Sequence, residues 1–203
     1  MALPFVLASQ SPARLATLRS AGIEPHVIVS HVDEDAVLAA AGTLAAADAV
    51  LALARAKAEA VVAIHAPNAI VLGCDSMLEF DGQIFGKPAD AATARERWRS
   101  MRGASGTLHT GHWCIDARTP PRTPSGATSS TVVHFAELTD SEIDAYVATG
   151  EPLHVAGAFT VDGLGGPYVE SIEGDYHGVV GVSLPLLRHL LAELGVAFHE
   201  LRA

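Results

Sequence analysis

The chain has 203 residues, 49% of them apolar, and a formal net charge of -10. That length supplies one large domain or two closely joined lobes around a sizeable core. The acid excess, with a pI of about 5.3, argues against sequence-independent nucleic-acid binding through a basic surface, but not against one anionic nucleotide where the few cations converge in a cleft.

In chain order, Phe5-Val-Leu-Ala8 reads as a short buried strand. Ser11 is a good helix N-cap, Pro12 fits the first helical position, and the helix carries Leu15 and Leu18 to a stop near Gly22. Strand, Ser-rich turn, helix N-terminus and Arg14 make an anion cradle, unless they are a helix cap and nothing more. His26–Val29 reads as a second strand. The acids after it, Asp33-Glu34-Asp35, form a solvated turn or supply a metal ligand opposite Asp75. Residues 37–62 are helical by period, with a division at Gly42-Thr43. Lys57 lies on this helix, where a single lysine is ordinarily solvated surface.

Asn68 to Leu72 is apolar and β-branched, and Gly73 is expected to end that strand. Asp75 falls just past it. Asp81-Gly82 is a strong hairpin signal between Met77-Leu78 and Ile84-Phe85, and Pro88 pushes Lys87 towards an extended conformation. The hairpin brings a carboxylate and an ammonium to one end of the sheet. Such a pair suits phosphate chemistry: one group holds a metal or directs a water, the other neutralises phosphate charge. An ordinary salt bridge at a strand end is the competing explanation.

Asp90–Met101 reads as a helix capped by Asp90 and stopped by Gly103, with Trp98 and Met101 facing inward. Thr107–Ile115 is a strand. His109 and His112, three apart on it, face opposite sides, which rejects a histidine metal site. Residues 119–130, rich in Pro, Ser and Thr, read as a turn or mobile loop, and Ser130–Ala136 as the returning strand of a long hairpin. Thr139-Asp-Ser-Glu142 is a capping box opening a helix that Gly150 ends. Val155–Gly166 is Gly-rich, which lets backbone approach a ligand closely, but no helix follows directly as a dinucleotide fingerprint requires. Tyr168–Ile172 reads as a strand, Glu173-Gly-Asp as a turn and Val179-Val180 as a short apolar run. Leu184–Leu194 is the last helix, started at Ser183 and closed by Gly195.

Cys74 and Cys114 are the only cysteines and lack metal-ligand spacing. Buried free thiols in a reducing, cytoplasmic setting are the expectation. The amino-terminal residues lack the basic region and length of a signal peptide. The apolar stretch 36–64 is broken by Gly42, Asp48, Arg55, Lys57 and Glu59, so no membrane span is expected. No internal repeat or linker divides the chain.

Eight short pieces run in order over nearly the whole chain: Leu7-Ala-Ser-Gln-Ser-Pro-Ala-Arg14, Asp33-Glu34, Ala56-Lys57-Ala58, Leu72-Gly-Cys-Asp75, Asp81-Gly-Gln-Ile-Phe-Gly-Lys-Pro88, Gly150-Glu-Pro152, Ala156-Gly157 and Gly174-Asp175-Tyr176. Together they resemble the Maf family of nucleoside triphosphate pyrophosphatases. The resemblance implies an α/β fold related to inosine triphosphatases: a mixed twisted sheet with flanking helices, residues 1–203 forming one domain of two lobes around a nucleotide cleft. It implies hydrolysis of a nucleoside triphosphate between the α and β phosphates, giving monophosphate and pyrophosphate with Mg²⁺ or Mn²⁺. Carried over by position, Asp75 is the catalytic acid/base or metal-binding carboxylate, Glu34 its metal-binding partner, and Ser9, Arg14, Lys57 and Lys87 the triphosphate grip. A cytoplasmic enzyme clearing modified or surplus nucleotides, and a homodimer, are the matching expectations.

The late loop, His154-Val-Ala-Gly-Ala-Phe-Thr-Val-Asp-Gly163, is closer to the family branch acting on 7-methyl-GTP than to the dTTP/UTP branch. Asp162 is then the candidate reader of the base. Ala13 and Ser76 stand at positions where the branches differ and match neither, which leaves the base open. Two rivals remain: a non-catalytic regulator of division or nucleotide sensor, suggested by the family's link to septum inhibition, and a phosphatase releasing the γ-phosphate. The intact set Asp75, Glu34, Lys57, Lys87 and Arg14 favours the pyrophosphatase over a pure binder.

Overall fold

Apolar β-branched runs that alternate with alanine-rich helical ones build a sheet covered by helices. The computed structural model describes residues 2–65, 67–118 and 124–202. Its strands are β1 (Phe5–Leu7), β2 (His26–Val27), β3 (Ile70–Phe80), β4 (Gln83–Phe85), β5 (Ser105–Asp116), β6 (Pro124–Phe135) and β7 (Val169–Glu173). Its helices are α1 (Pro12–Ser20), α2 (Glu34–Ala41), α3 (Ala46–His65), α4 (Ala91–Met101), α5 (Asp140–Ala148), α6 (Tyr176–Val180) and α7 (Leu184–Glu193). The strands form one mixed sheet in the order β2-β1-β3-β5-β6-β7, with β4 also on β3. β1 runs parallel to β2 and β3; every other pairing is antiparallel.

β3 positions the site. Ile70–Leu72 pair with β1, and Leu78–Phe80 pair with β4. β3 pairs with β5 over all but its last residue, from Ile70 with Asp116 to Glu79 with Thr107. Between the β1 and β4 pairings, Gly73–Met77 therefore present an open edge. The helix α3 lies directly on β3 and β5 because Gly73 and Gly111 have no side chains. A Cβ on either would fall on helix backbone, at Ala54 or at Val50.

The apolar interior has separate parts along this sheet. Leu7, Leu18, Leu72 and Leu187 pack with α1 and α7 on one face near β1, and Val6, Val61 and Val71 pack with α3 on the other. Beyond the open edge, Leu78, Trp98, Phe135, Tyr146 and Phe159 form a third group. Trp98 makes edge-to-face contacts there with Phe135 and Tyr146, both with centroids 5.6 Å apart, and its Nε1 donates to Ala158 O at 2.7 Å.

The caps at Ser11, Asp90, Thr139 and Ser183 form as their sequences require, including the Thr139–Glu142 capping box. The helical run divides where Gly42 and Thr43 separate α2 from α3, Trp98 and Met101 are buried, and Asp81-Gly82 turns β3 into β4. Four readings need correction. Gly73 does not end its strand; its small size admits α3 and β3 continues. The second strand stops at Val27. Val179-Val180 belong to α6, which Asp175 caps by accepting from His177 N and Gly178 N. Residues 124–130 belong to β6, while 119–123 lie outside the described residues. That segment's Ser, Thr and Gly imitate a turn but have sheet roles. Pro124 stands at the strand's first residue, Gly126 makes room for the Trp113 ring, and Thr128 Oγ1 donates to Ala47 O at 2.8 Å.

Candidate active site

Alternation along β3 sends odd residues towards α3 and even residues to the opposite face. Asp75 points towards α3 and meets Lys57, whose Nζ lies 2.5 Å from Asp75 Oδ1. The same ammonium lies 2.7 Å from Glu34 Oε1, at the start of α2. Lys57 is buried, at 8% exposure, because it sits on the α3 face that carries Ala54, Ala58 and Val61 into the sheet. Asp75 is 7% exposed, whereas the Glu34 side chain is 52% exposed. Two carboxylates sharing one ammonium leave the cluster one formal net negative charge at the open edge of β3. Hard oxygen donors in that state fit Mg²⁺ or Mn²⁺. Among the described residues no group of three His, Cys, Asp or Glu gathers to hold a metal. An ion here would draw further ligands from phosphate oxygens and water, as Mg²⁺ commonly does.

The other face of the open edge belongs to Arg14. Its Nη1 donates to Ser9 Oγ at 3.0 Å and to Cys74 O at 2.9 Å, its Nη2 to Ser76 Oγ at 3.1 Å, and its Nε to Gly181 O at 3.1 Å. The Cys74 carbonyl is available because no strand covers this part of β3. Ser76 Oγ lies 2.9 Å from Thr110 Oγ1, which itself donates to Gly178 O at 2.8 Å. Thr110's proton is thus committed, so Ser76 donates to Thr110 while accepting from Arg14. Ser9 Oγ also accepts from Ser11 N at 3.3 Å, and Ser11 caps α1 through Arg14 N. The Ser-rich turn, the start of α1 and the Arg14 guanidinium form one connected donor set, the composition an anion requires. Ala13 stands half-buried in the first turn of α1.

Cys74 lies between the two charged groups. Burial pushes its thiol up to about 12 although the Arg14 and Lys57 charges pull it down, and burial raises Cys114 likewise. Both are free, buried and unreactive, as expected of inert thiols.

Lys87 is exposed and follows β4 after Gly86. The chain before it is anchored at Gly86 O, which accepts from Gly157 N at 3.2 Å and from Arg97 Nη1 at 2.7 Å. Asp162 is also exposed, in the late loop. That loop is organised by Glu151, which sequence reasoning passed over. Its carboxylate accepts from Tyr146 Oη at 3.0 Å, Thr160 Oγ1 at 2.5 Å, Leu164 N at 2.9 Å and Gly165 N at 3.0 Å. Burial works to raise the Glu151 pKa; the hydrogen bonds outweigh it and hold the group below its ordinary value. The signal for Glu151 was its place in Gly150-Glu-Pro152, directly before a glycine-rich loop with many donors to satisfy.

The two strand histidines have separate partners on opposite faces. His109 lies between Ser130 Oγ at 2.8 Å and Glu79 Oε2 at 3.1 Å. His112 Nε2 accepts from Ser183 N at 2.8 Å, so its Nδ1–H donates to Thr110 O at 2.9 Å. Burial lowers its pKa to about 4, which favours the neutral ring, and the Ser183 N–H donor fixes this tautomer.

A buried carboxylate and ammonium beside a serine-lined helix start, in an α/β fold, are the groups that phosphate chemistry uses. Residues 4–194 match the family model described as Maf-like protein, and the chain belongs to the Maf family. It is 59% identical over 198 residues to a nucleoside triphosphate pyrophosphatase of Salinispora tropica, covering 96% of this chain and 85% of that protein. It is 57% identical over 202 residues to the protein of the same name from Streptomyces coelicolor, covering 98% and 94%. A third relative of that name, from Rhodococcus opacus, is 54% identical over 211 residues, covering 98% and 96%.

Proposed function

We propose that this protein hydrolyses nucleoside triphosphates to the monophosphate and pyrophosphate at the open edge of β3, with a divalent cation as cofactor. Its standing as a nucleoside triphosphate pyrophosphatase, a hydrolase, follows from its family and its relatives. The metal, the residue roles and the base are this proposal's own. The observation that supports it best is the meeting of Glu34 and Asp75 on the Lys57 ammonium, three residues distant in sequence and joined at one point.

Asp75 and Glu34 would hold Mg²⁺ or Mn²⁺. When bound, such an ion supplies charge to the phosphate oxygens and acidifies the attacking water. Asp75, buried beside the Lys57 ammonium, would serve as acceptor for a proton of the attacking water or as the group that orients it. Lys57, Arg14, Ser9 and Lys87 offset and orient the triphosphate, and the charged donors among them bind phosphate oxygens strongly. Asp162, Ser76 and Ala13 border the nucleoside, with a purine such as 7-methyl-GTP the proposed preference. No helix of the described residues is long and apolar enough to cross a membrane; we place the activity in the cytoplasm, on modified or surplus nucleotides.

The test is a nucleotide panel with Mg²⁺, Mn²⁺ or EDTA, scoring pyrophosphate and orthophosphate separately. Equimolar monophosphate and pyrophosphate, abolished by EDTA, is the expected result. Orthophosphate as first product would instead make it a γ-phosphatase. Asp75→Asn, nearly isosteric, should remain folded and lose most turnover; near-normal activity would remove Asp75 from the chemistry.

A further inference from the structure

An arginine bonded to a main-chain carbonyl is ordinarily structural, but this carbonyl lies one residue before Lys87. Arg97 reaches it from α4, half-buried, and burial lowers its pKa from the ordinary arginine value. Its Nη1 donates to Gly86 O at 2.7 Å, and its guanidinium lies over the Phe85 ring, 4.7 Å from the centroid. Phe85 in turn stacks on Phe80 of β3, with centroids 6.2 Å apart. The arginine is thus tied to both residues that precede Lys87. A second donor to the same carbonyl, Gly157 N–H at 3.2 Å, comes from the late loop. Gly157 can take that place because it has a φ of 71°, and a Cβ there would lie 2.9 Å from Leu78.

Lysine is a point charge on a flexible stem, so where it acts depends on where its backbone begins. Lys87 is exposed and follows a strand of only three residues, which is weak support on its own. The two donors on Gly86 O supply the missing anchorage. We propose that Arg97 is a positioning residue for Lys87, clamping the Gly86 carbonyl so that the ammonium is presented to the triphosphate. The proposal rests on the reading of Lys87 as part of the triphosphate grip. It also makes Gly86 the point at which the late loop and the phosphate-binding side meet.

The experiment is a double-mutant cycle with 7-methyl-GTP and UTP as probes, measuring kcat and KM separately. Arg97→Met keeps contact with Phe85 but removes the donor. It should lower kcat/KM by ~tenfold, since small misplacements of a positioned group cost that much or more. Arg97→Lys, which restores one donor, should recover part of the loss. In a Lys87→Ala background, Arg97→Met should change kcat/KM less than ~twofold, because the group it positions is gone. Equal fold-losses in both backgrounds would overturn the proposal and give Arg97 an independent role. No loss from Arg97→Met in the wild-type background would overturn it as well. A silent Lys87→Ala would overturn the triphosphate-grip reading itself, and with it this proposal. Thermal melts of each variant separate these outcomes from unfolding. If Arg97→Met does not fold, Arg97→Lys is carried through the same cycle.

Discussion

Removing the Lys57 ammonium tests the centre of the site through stability, without any substrate. In Lys57→Met most of the aliphatic stem is kept, so the packing of this buried α3 face changes little. What is lost is the ammonium 2.5 Å from Asp75 Oδ1 and 2.7 Å from Glu34 Oε1. Glu34 is half-exposed and is rehydrated at small cost. Asp75 is 7% exposed and is left charged without its partner. Breaking a buried pair from one side costs about 3–5 kcal/mol. At about 2.1 cal/mol/K per residue, 203 residues give an unfolding entropy near 0.43 kcal/mol/K, so Tm should fall by about 7–12 °C. Asp75→Asn alone should cost about 1–2 kcal/mol, since Lys57 keeps Glu34 and the amide still bonds. The double variant should be more stable than Lys57→Met, so the coupling should exceed the cost of Asp75→Asn alone, about 1–2 kcal/mol. Thermal and urea unfolding of the four proteins measure it. Single effects that add to within about 0.5 kcal/mol would show that the two groups do not act as a pair and refute the reasoning.

Lys87→Ala should weaken kcat/KM for the triphosphate more than it weakens binding of the monophosphate, because the partners it loses are the β and γ oxygens; equal losses by calorimetry and kinetics would remove it from the grip. Asp162→Gln should move the kcat/KM ratio of 7-methyl-GTP over UTP towards UTP, because a carboxylate at that position accepts from the N–H groups of a guanine edge, which uracil does not present in that arrangement; an unchanged ratio assigns Asp162 to the loop alone. His112 has a folded pKa of about 4 against an ordinary 6.5. Its contribution is therefore complete above pH 6.5 and lost as pH falls towards 4, worth up to about 3 kcal/mol. Wild-type Tm should fall more steeply over that window than the Tm of His112→Asn. Gly111→Ala would place a Cβ on the Val50 carbonyl, so it should destabilise by about 1–3 kcal/mol and, by moving α3 and Lys57, lower turnover in the fraction that stays folded.

Local rules read well wherever one short segment decided the outcome. The caps at Ser11, Asp90, Thr139 and Ser183 and the Asp81-Gly82 turn depend on neighbouring residues only, and all formed. Composition misled where tertiary contact overrode it. Gly73 looks like a strand end until α3 is laid across it. Residues 124–130 look like a loop until Trp113 and α3 are placed over them. Lys57 looks like solvated surface because its neighbours are alanines, and those alanines are what bring the helix close enough to bury it. The Arg14 contacts were out of reach for another reason: two of its four bonds go to the carbonyls of Cys74 and Gly181, and a main-chain acceptor leaves no mark in residue type.

The open stretch of β3 also resolves a difficulty in the site's design. Asp75 and Ser76 are adjacent, so strand alternation must send them to opposite faces of the sheet. Inside a continuous sheet no single ligand could reach both. Here β1 ends its pairing at Leu72 and β4 begins at Leu78. The gap has Asp75 and Lys57 on its α3 side and Arg14 and Ser76 on the other. The ends of the gap carry the remaining groups, Ser9 after β1 and Lys87 after β4. Separate cores on either side keep each end in place. A gap of this kind distributes cations and carboxylates over two faces instead of lining them up on one, where like charges would crowd. It also leaves a main-chain carbonyl of that edge, Cys74 O, to be bonded by Arg14, so the guanidinium assigned to the phosphates is also tied to the strand.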